Sequence, residues 1–358
     1  MAYTTIDDPS AYFQTKLYTG NSSTQSITFD GNTNMQPDWV WIKSRSAAEW
    51  HQLHDSVRGV AKYLFTNTAG SENERSPNDQ VTSFDSNGFS LGAAANDSVN
   101  TNNGSYASWN WKAGTTGSGT TTGSGTAKSY SYSVNTTSGF SIVKYTGNGT
   151  IGQQIPHHLG VVPKMIIQKR LPTDGAGWNV YHHSLGLNYL MLQSTNASAS
   201  DSGKYNANPT STYVQIGNDG GMNTNDAEHI LYCFAEKKGY SKFESYTGNA
   251  NADGPFINTG FKPAWVMIKN SAAAEQWRVY DSTREPSNRM FKCLFPNANS
   301  AENTTDNASE EIDFLSNGIK IRSSAAQLNG SGQKLIFMAF AENPIVANVG
   351  NSIPATAR

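Results

Sequence analysis

Three stretches decide the fold of this chain: Tyr18-Thr-Gly-Asn21, Tyr145-Thr-Gly-Asn148 and Tyr246-Thr-Gly-Asn249. Each opens the same run of landmarks. A strand-like block comes next, as Pro37-Asp-Trp-Val-Trp-Ile-Lys43, Pro163-Lys-Met-Ile-Ile-Gln-Lys169 and Pro263-Ala-Trp-Val-Met-Ile-Lys269. A tryptophan follows in each copy, Trp50, Trp178 and Trp277, the last two continuing as Trp-x-Val-Tyr. The copies close on Trp109-Asn-Trp-Lys112, Tyr232-Cys-Phe-Ala-Glu236 and Met338-Ala-Phe-Ala-Glu342. Solenoid and propeller repeats run to roughly 20–50 residues. These copies are longer, each the size of a small domain of roughly 100 residues. The sequence predicts three tandem copies of one domain.

Each copy reads as all-β. The Pro-led blocks are short, rich in Trp, Val and Ile, and apolar on both alternating faces, the pattern of a central strand covered on two sides. Turn chemistry separates them: Asp30-Gly31-Asn32, Asn218-Asp-Gly-Gly221, and the matched pair Phe84-Asp-Ser-Asn-Gly-Phe89 and Phe314-Leu-Ser-Asn-Gly-Ile319, which reads as strand–turn–strand. The best helical candidate, 44–50, is about two turns at most. Short strands with frequent turns predict an all-β chain of three tandem β-sandwich domains of jelly-roll or lectin-like type. The boundaries fall as an N-terminal segment with the first strand at 1–17, units at 18–114, 131–239 and 240–346, a linker at 115–130, and a C-terminal tail at 347–358. The linker core, Gly114–Thr126, holds no apolar residue and reads as flexible coil, leaving the first unit mobile and the linker open to proteases.

Formal charge of −2 and 15% charged residues give no electrostatic case for nucleic acid or an anionic membrane. No apolar run approaches the roughly 20 residues that span a bilayer. The N-terminus lacks the basic and apolar regions of a signal peptide, so synthesis in a cytosol is expected. Cys233 and Cys293 sit at non-equivalent landmarks and read as two buried thiols.

Residues able to carry chemistry are few. The doublets His157-His158 and His182-His183 invite a metal, but neighbours on a strand point to opposite faces, so a doublet does not present both rings to one ion. The Asp/Asn/Gly clusters lack calcium-loop spacing. There is no Gly-x-Ser-x-Gly elbow, His-Glu-x-x-His or phosphate loop. Glu236, Glu310, Glu311 and Asp313 supply carboxylates for a glycosidase pair, yet Glu236 and Glu342 both simply end the closing strand. The expectation is no enzyme, no cofactor and no metal. The i,i+2 pairs Trp39/Trp41 and Trp109/Trp111 suit either a sugar-stacking platform or the sandwich core, and core is the better reading because Trp39, Met165 and Trp265 stay apolar. Surface contacts then fall to loops such as 96–106 and 194–213, with Tyr205, Asn206, Asn208 and Tyr213 as candidate binding residues.

Several long motifs resemble one family: Gly139-Phe-Ser-Ile-Val-Lys-Tyr-Thr-Gly-Asn-Gly149, His158-Leu-Gly-Val-Val-Pro-Lys164, Gly239-Tyr-Ser-Lys-Phe-Glu-Ser-Tyr-Thr-Gly-Asn249 and Thr259-Gly-Phe-Lys-Pro-Ala-Trp-Val-Met-Ile-Lys269. Together with Asp7-Asp-Pro-Ser-Ala-Tyr-Phe-Gln-Thr15 they resemble tail-fibre-like virion proteins of tailed bacteriophages of marine bacteria and cyanobacteria. The resemblance implies a structural virion component, which one being left open; the expected role is a tail-fibre or tail-tip protein, made in a bacterial cytoplasm, that adheres to host-surface polysaccharide. It would touch other virion proteins and assemble as a homo-oligomer, a trimer or ring, with the first unit as attachment module. The alternatives are a capsid-surface decoration or head fibre without receptor binding, and a polysaccharide depolymerase. With neither heptads nor a shaft, the chain suits a short fibre, a tip or a surface-seated protein.

Overall fold

The computed structural model describes residues 4–345 apart from 77, 94–98 and 173. The expected C-terminal tail at 347–358 therefore lies outside the described residues, as does part of the 96–106 loop. In the first copy the strands are β1 Phe13–Thr19, β2 Gln25–Thr28, β3 Trp39–Ser44, β4 Gln52–Asp55, β5 Lys62–Phe65, β6 Asn73–Glu74, β7 Val81–Asp85, β8 Gly88–Leu91 and β9 Ser105–Trp111. The second adds β10 Thr115–Thr120, β11 Thr122–Gly123, β12 Ser129–Asn135, β13 Phe140–Thr146, β14 Gln153–Pro156, β15 Met165–Arg170, β16 Asn179–His182, β17 Asn188–Met191, β18 Ala199–Ser200, β19 Tyr213–Ile216 and β20 Glu228–Phe234. The third contributes β21 Ser241–Thr247, β22 Phe256–Asn258, β23 Phe261–Asn270, β24 Arg278–Asp281, β25 Ile312–Leu315, β26 Gly318–Ile321 and β27 Lys334–Pro344. The two α-helices among the described residues have four residues each. The chain is all-β.

Each copy builds a large and a small antiparallel sheet, and the large ones share a four-strand order, β1-β9-β3-β4, β13-β20-β15-β16 and β21-β27-β23-β24. The large sheets run β1-β9-β3-β4-β5-β6, β10-β12-β13-β20-β15-β16-β17-β18 and β21-β27-β23-β24. The small ones run β2-β8-β7 and β22-β26-β25 in the first and third copies, but β11-β14-β19 in the second, where β14-β19 matches β2-β8, β11 adds on the far side of β14, and the Tyr205–Ile216 bridge stands in place of the third strand. Register makes the copies comparable residue by residue: Trp39 pairs with Trp111 and Asp55, Met165 with Phe234 and His182, and Trp265 with Phe340 and Asp281. The Pro-led blocks thus occupy one equivalent central strand. The two Asn-Gly motifs close the β7–β8 and β25–β26 hairpins, Asp85 opposite Gly88 and Leu315 opposite Gly318.

The opening tetrapeptide has a physical reason. Its tyrosine hydroxyl donates to a carbonyl in the turn or short helix ahead of the closing strand, Tyr18 to Val99 at 2.8 Å, Tyr145 to Met222 at 2.6 Å and Tyr246 to Leu328 at 2.7 Å. The next residue after each acceptor is a buried asparagine, Asn100, Asn223 or Asn329, whose Oδ1 accepts from the N–H of Asn21, Asn148 or Asn249 at 2.7–3.0 Å. The glycine between lies against a backbone carbonyl. A Cβ on Gly20, Gly147 or Gly248 would sit 2.2–2.3 Å from that oxygen, which no side chain tolerates. The signature is a strand-end clasp.

Alternation sends the two faces of each large sheet to different cores. One face packs on its own small sheet, with Val40 and Ile42 against Ile27, Phe89 and Leu91, and likewise in the other copies. The opposite faces of all three large sheets merge in a single cluster containing Trp39, Trp41, Trp109, Trp111, Met165, Tyr232, Phe234, Trp265, Met338 and Phe340. A buried aromatic removes 150–250 Å² from water, about 4–6 kcal/mol each as an upper bound. The three copies share one central core. The mobile first unit is therefore corrected: the Trp39 and Tyr232 ring centroids lie 5.0 Å apart, and Trp111 meets Trp265 edge-on at 5.4 Å.

The flexible linker is corrected with it. Gly114–Thr126 carries β10 and β11, and β10 pairs along its length with β12. Gly117 lies opposite Tyr132 and Gly119 opposite Tyr130, and a Cβ on either glycine would lie 2.5–2.7 Å from the tyrosine hydroxyl. The glycines leave room for aromatic rings crossing them, a cross-strand pairing that composition does not reveal.

Candidate functional site

Most buried polar residues serve the joints between copies and can be set aside as candidates. The register makes His51, Trp178 and Trp277 equivalent. Trp178 Nε1 of the second copy donates to Phe65 O of the first at 3.0 Å, and Trp277 Nε1 of the third to Met191 O of the second at 3.0 Å. The His51 ring closes the cycle beside the Phe295 carbonyl of the third. A second cycle uses Asp55, His182 and Asp281. Asp55 Oδ2 accepts from Tyr232 Oη at 2.7 Å and Asp281 Oδ2 from Trp109 Nε1 at 2.9 Å. The equivalent of Tyr232 and Trp109 in the third copy is Met338, which has no donor, and there the carboxylate is replaced by His182. Donor and acceptor changed together. Both aspartates are clamped by an arginine three residues on, Arg58 and Arg284, whereas Leu185 follows His182. Lys43, Lys169 and Lys269 are also equivalent. All three are buried, donate to backbone carbonyls, and are pushed down to about 8 by burial.

Of the eight tryptophans, seven are at most 1% exposed and Trp50 is 44% exposed. Sequence spacing assigns Trp50 to the repeated landmark, and the structure corrects this: β4 begins one residue later than that alignment, so His51 holds the landmark. The residues equivalent to Trp50 are Gly177 and Gln276. An exposed tryptophan outside the repeat pattern is not explained by folding.

Trp50 packs edge-on against Phe65, ring centroids 4.6 Å apart at 82°. That contact holds the indole upright beside a cleft of about 470 Å³. The cleft runs between the first and second copies, and its polar wall carries Thr68, Ser71, Asn73 and Asp174. Backbone bonds fix that wall: Gly175 N donates to Ala69 O at 3.1 Å, Glu72 N to Leu171 O at 2.8 Å and Ser71 N to Asp174 Oδ1 at 2.7 Å. The Ser71 hydrogen bonds hold Asp174 below the ordinary carboxylate range, so it is a charged acceptor at neutral pH. A flat apolar face next to a carboxylate, an amide and hydroxyls matches a pyranose ring, whose C–H face stacks while its hydroxyls bond at the edge.

The predicted loop residues fare unevenly. Tyr205 is corrected: it is fully buried, its hydroxyl donating to Asn179 O at 3.3 Å, because a small-residue turn folds it under β16. Asn206 is half-buried with Oδ1 unpartnered, Asn208 is exposed and accepts from Tyr181 Oη at 3.4 Å, and Tyr213 is half-buried on β19. They do not converge with Trp50. Strand alternation does not govern the histidine doublets, since His157 and His158 follow β14 and His183 follows the end of β16, and the His182 and His183 rings lie 5.1 Å apart. His157 faces Thr210 O, His158 stacks on Tyr132 at 3.8 Å, His182 faces Phe337 O and His183 faces Phe243 O. Among the described residues no three His, Cys, Asp or Glu side chains gather as a metal site. Cys233 and Cys293 are both free and buried. No helix among the described residues is long and apolar enough to cross a membrane.

A chain of three in-register, paired-sheet copies around one core defines a repeated all-β protein. It belongs to the family described as Domain of unknown function (DUF7483), which matches residues 8–344. That single match runs through all three copies, in keeping with their shared core. Neither a curated protein nor a solved structure matches the chain.

Proposed function

We propose that this chain is a structural protein of a tailed-bacteriophage virion, made in the host cytoplasm, that adheres to host-surface polysaccharide without turning it over. In this reading each copy is a β-sandwich of jelly-roll or lectin-like type, and the three act as one rigid body at a fibre tip or on the particle surface. The single observation that carries the adhesive role is Trp50, exposed and propped by Phe65 over a polar cleft while every other tryptophan is buried. The virion context of this reading rests on the resemblance of the long motifs to phage tail-fibre-like proteins. A site of this size holds one or two sugar rings, and shallow single sites bind in the millimolar range, about −4 kcal/mol. Useful adhesion then comes from many copies on one particle, which is where a homo-oligomer and contacts with other virion proteins enter.

The test is binding of the purified chain to surface polysaccharide from candidate host bacteria, read by tryptophan fluorescence and by pull-down. Trp50→Ala should lose at least tenfold in affinity with an unchanged melting temperature. Undiminished binding by that variant removes the cleft from the reading. Release of reducing ends from the polysaccharide would replace adhesion by depolymerisation, and no binding to any host surface would leave a decoration protein.

A further inference from the structure

We propose that the free edge of β1, with the cleft beneath it, accepts an extended, uncharged strand from another polypeptide. The inference rests on comparing three equivalent edges and goes beyond the glycan reading. Thr15, Ile142 and Phe243 are equivalent residues, opposite Trp109, Tyr232 and Met338. In the second copy the edge is covered by the chain itself: β12 pairs with β13, placing Ser133 opposite Ile142 and Asn135 opposite Phe140. In the third copy side chains cap it. Phe243 N donates to Glu236 Oε2 at 3.3 Å, and Phe243 O faces His183 Nε2 at 2.8 Å. Lys164, Lys242, Glu236 and Glu244 form a charged rim there, a common guard against strand addition.

Among the described residues the first copy has neither cover. Tyr12 O accepts from Lys112 N and Gly20 N donates to Gly104 O, so the even-numbered residues of β1 bond to β9. Antiparallel alternation turns the N–H and C=O of Phe13, Thr15 and Leu17 outward, and no described residue bonds them. Directly beside Phe13, Gln14 and Thr15 lies a cleft of about 550 Å³ against the third copy. It is open because two equivalent positions shrink. Thr15 stands where Ile142 and Phe243 fill the core, and Ala264 stands where Asp38 and Lys164 reach across. The Thr15 Oγ1 atom is buried without a partner. The charges at the rim are already paired, Lys262 with Glu342 at 2.7 Å and Lys16 with Asp30 at 3.0 Å, so a neutral occupant fits. The second copy shows its chemistry, since Ser133 at the matching place takes a bond from Gly114 N at 2.8 Å.

The probe is a capped synthetic peptide with the sequence of residues 129–135, added to the full chain and read by amide hydrogen exchange. At millimolar peptide the amides of Phe13, Thr15 and Leu17 should exchange at least tenfold more slowly. The effect should be lost in Ala264→Lys, which installs the second copy's residue in the cleft, and in Thr15→Pro, which deletes one outward N–H. Ala264→Lys keeps every β1 backbone donor, so it remains informative if the proline variant does not fold. Absent protection of those three amides overturns the proposal, as does equal protection in Ala264→Lys. Peptide-independent protection that grows with protein concentration also overturns it, because the occupant would then be a second copy.

Discussion

Acidification from pH 7 to pH 5 is expected to unfold this protein, and the size of the effect follows from five histidines. His51, His54, His157, His182 and His229 are all fully buried. Burial comes first among the causes lowering each, followed for His51 by Lys43, for His54 by Arg58, for His229 by Arg170 and for His182 by His183. His54, His182 and His229 are driven down to about 3, His157 to about 4, and His51 well below its ordinary value of 6.5. A folded-state pKa below the unfolded one means that the unfolded chain takes up the protons. The stability these groups supply is complete above pH 6.5 and lost as pH falls toward their folded values. Each costs about 1.4 kcal/mol per pH unit in that window. The four groups held at about 3–4 come, over about 1.5 units, to about 8 kcal/mol at pH 5, with His51 acting in the same direction, comparable with the net stability of roughly 5–15 kcal/mol of a typical domain. The assay is intrinsic fluorescence and melting temperature between pH 8 and 4, with proton uptake measured by difference titration. A cooperative transition between pH 6 and 5, with about five protons absorbed, is expected. A melting temperature at pH 5 within a few degrees of that at pH 7 refutes the reasoning, as does a transition absorbing one proton or none.

Stability should rise from pH 8 toward 10, because Lys43, Lys169 and Lys269 are lowered to about 8 against an ordinary 10.5 and the unfolded chain holds more protons across that window; a melting temperature flat from pH 8 to 10 counts against buried charged lysines. Trp109→Phe leaves Asp281 without its indole donor, and a loss of about 1–3 kcal/mol is expected from denaturant titration, whereas the equivalent Met338→Leu should cost under about 1.5 kcal/mol. Residues 1–114 expressed alone should be insoluble, since they would expose Trp39, Trp41, Trp109 and Trp111; a soluble monomer of that fragment would contradict the shared core. Broad-specificity protease should spare 115–120 in the intact chain, and early cleavage there would return that segment to coil.

Much of the framework was legible because the repeat carries its own alignment. The Pro-led strands, the Asn-Gly hairpins and the closing aromatic strands are local features, each set by alternation and turn chemistry. The relation between copies was not legible. A strand apolar on both faces announces two covers without saying what the second cover is, and here it is the other two copies. The same blindness applied to 115–120, where glycine signals coil unless a tyrosine from a later strand crosses it. A signal for the clasp was present: Val99-Asn100, Met222-Asn223 and Leu328-Asn329 repeat an apolar–Asn step that only gains meaning once paired with the tetrapeptides. Trp50 was misplaced because it sits one residue from the true landmark, and a histidine there breaks the expected residue type. Tyr205 reads in the sequence as a surface aromatic because the polar residues around it conceal that its own ring turns inward.

Internal repetition supplies an argument that a single domain lacks. When three equivalent positions differ, the difference is either compensated across the joint or it is not. Asp55, His182 and Asp281 differ and are compensated, since each meets a matching partner in Tyr232, Phe337 O or Trp109. Selection on folding explains that set without invoking a ligand. Trp50 against Gly177 and Gln276, and Thr15 against Ile142 and Phe243, are not compensated. One leaves an indole in water, and the other leaves a buried hydroxyl without a partner above an open cleft. Both cost stability relative to the residues used at the equivalent places. The two uncompensated positions lie at different joints, the first between copies one and two, the second between copies three and one. On the proposed readings the first would meet a glycan and the second a strand, and Trp50→Ala and Ala264→Lys would then each abolish one binding and spare the other.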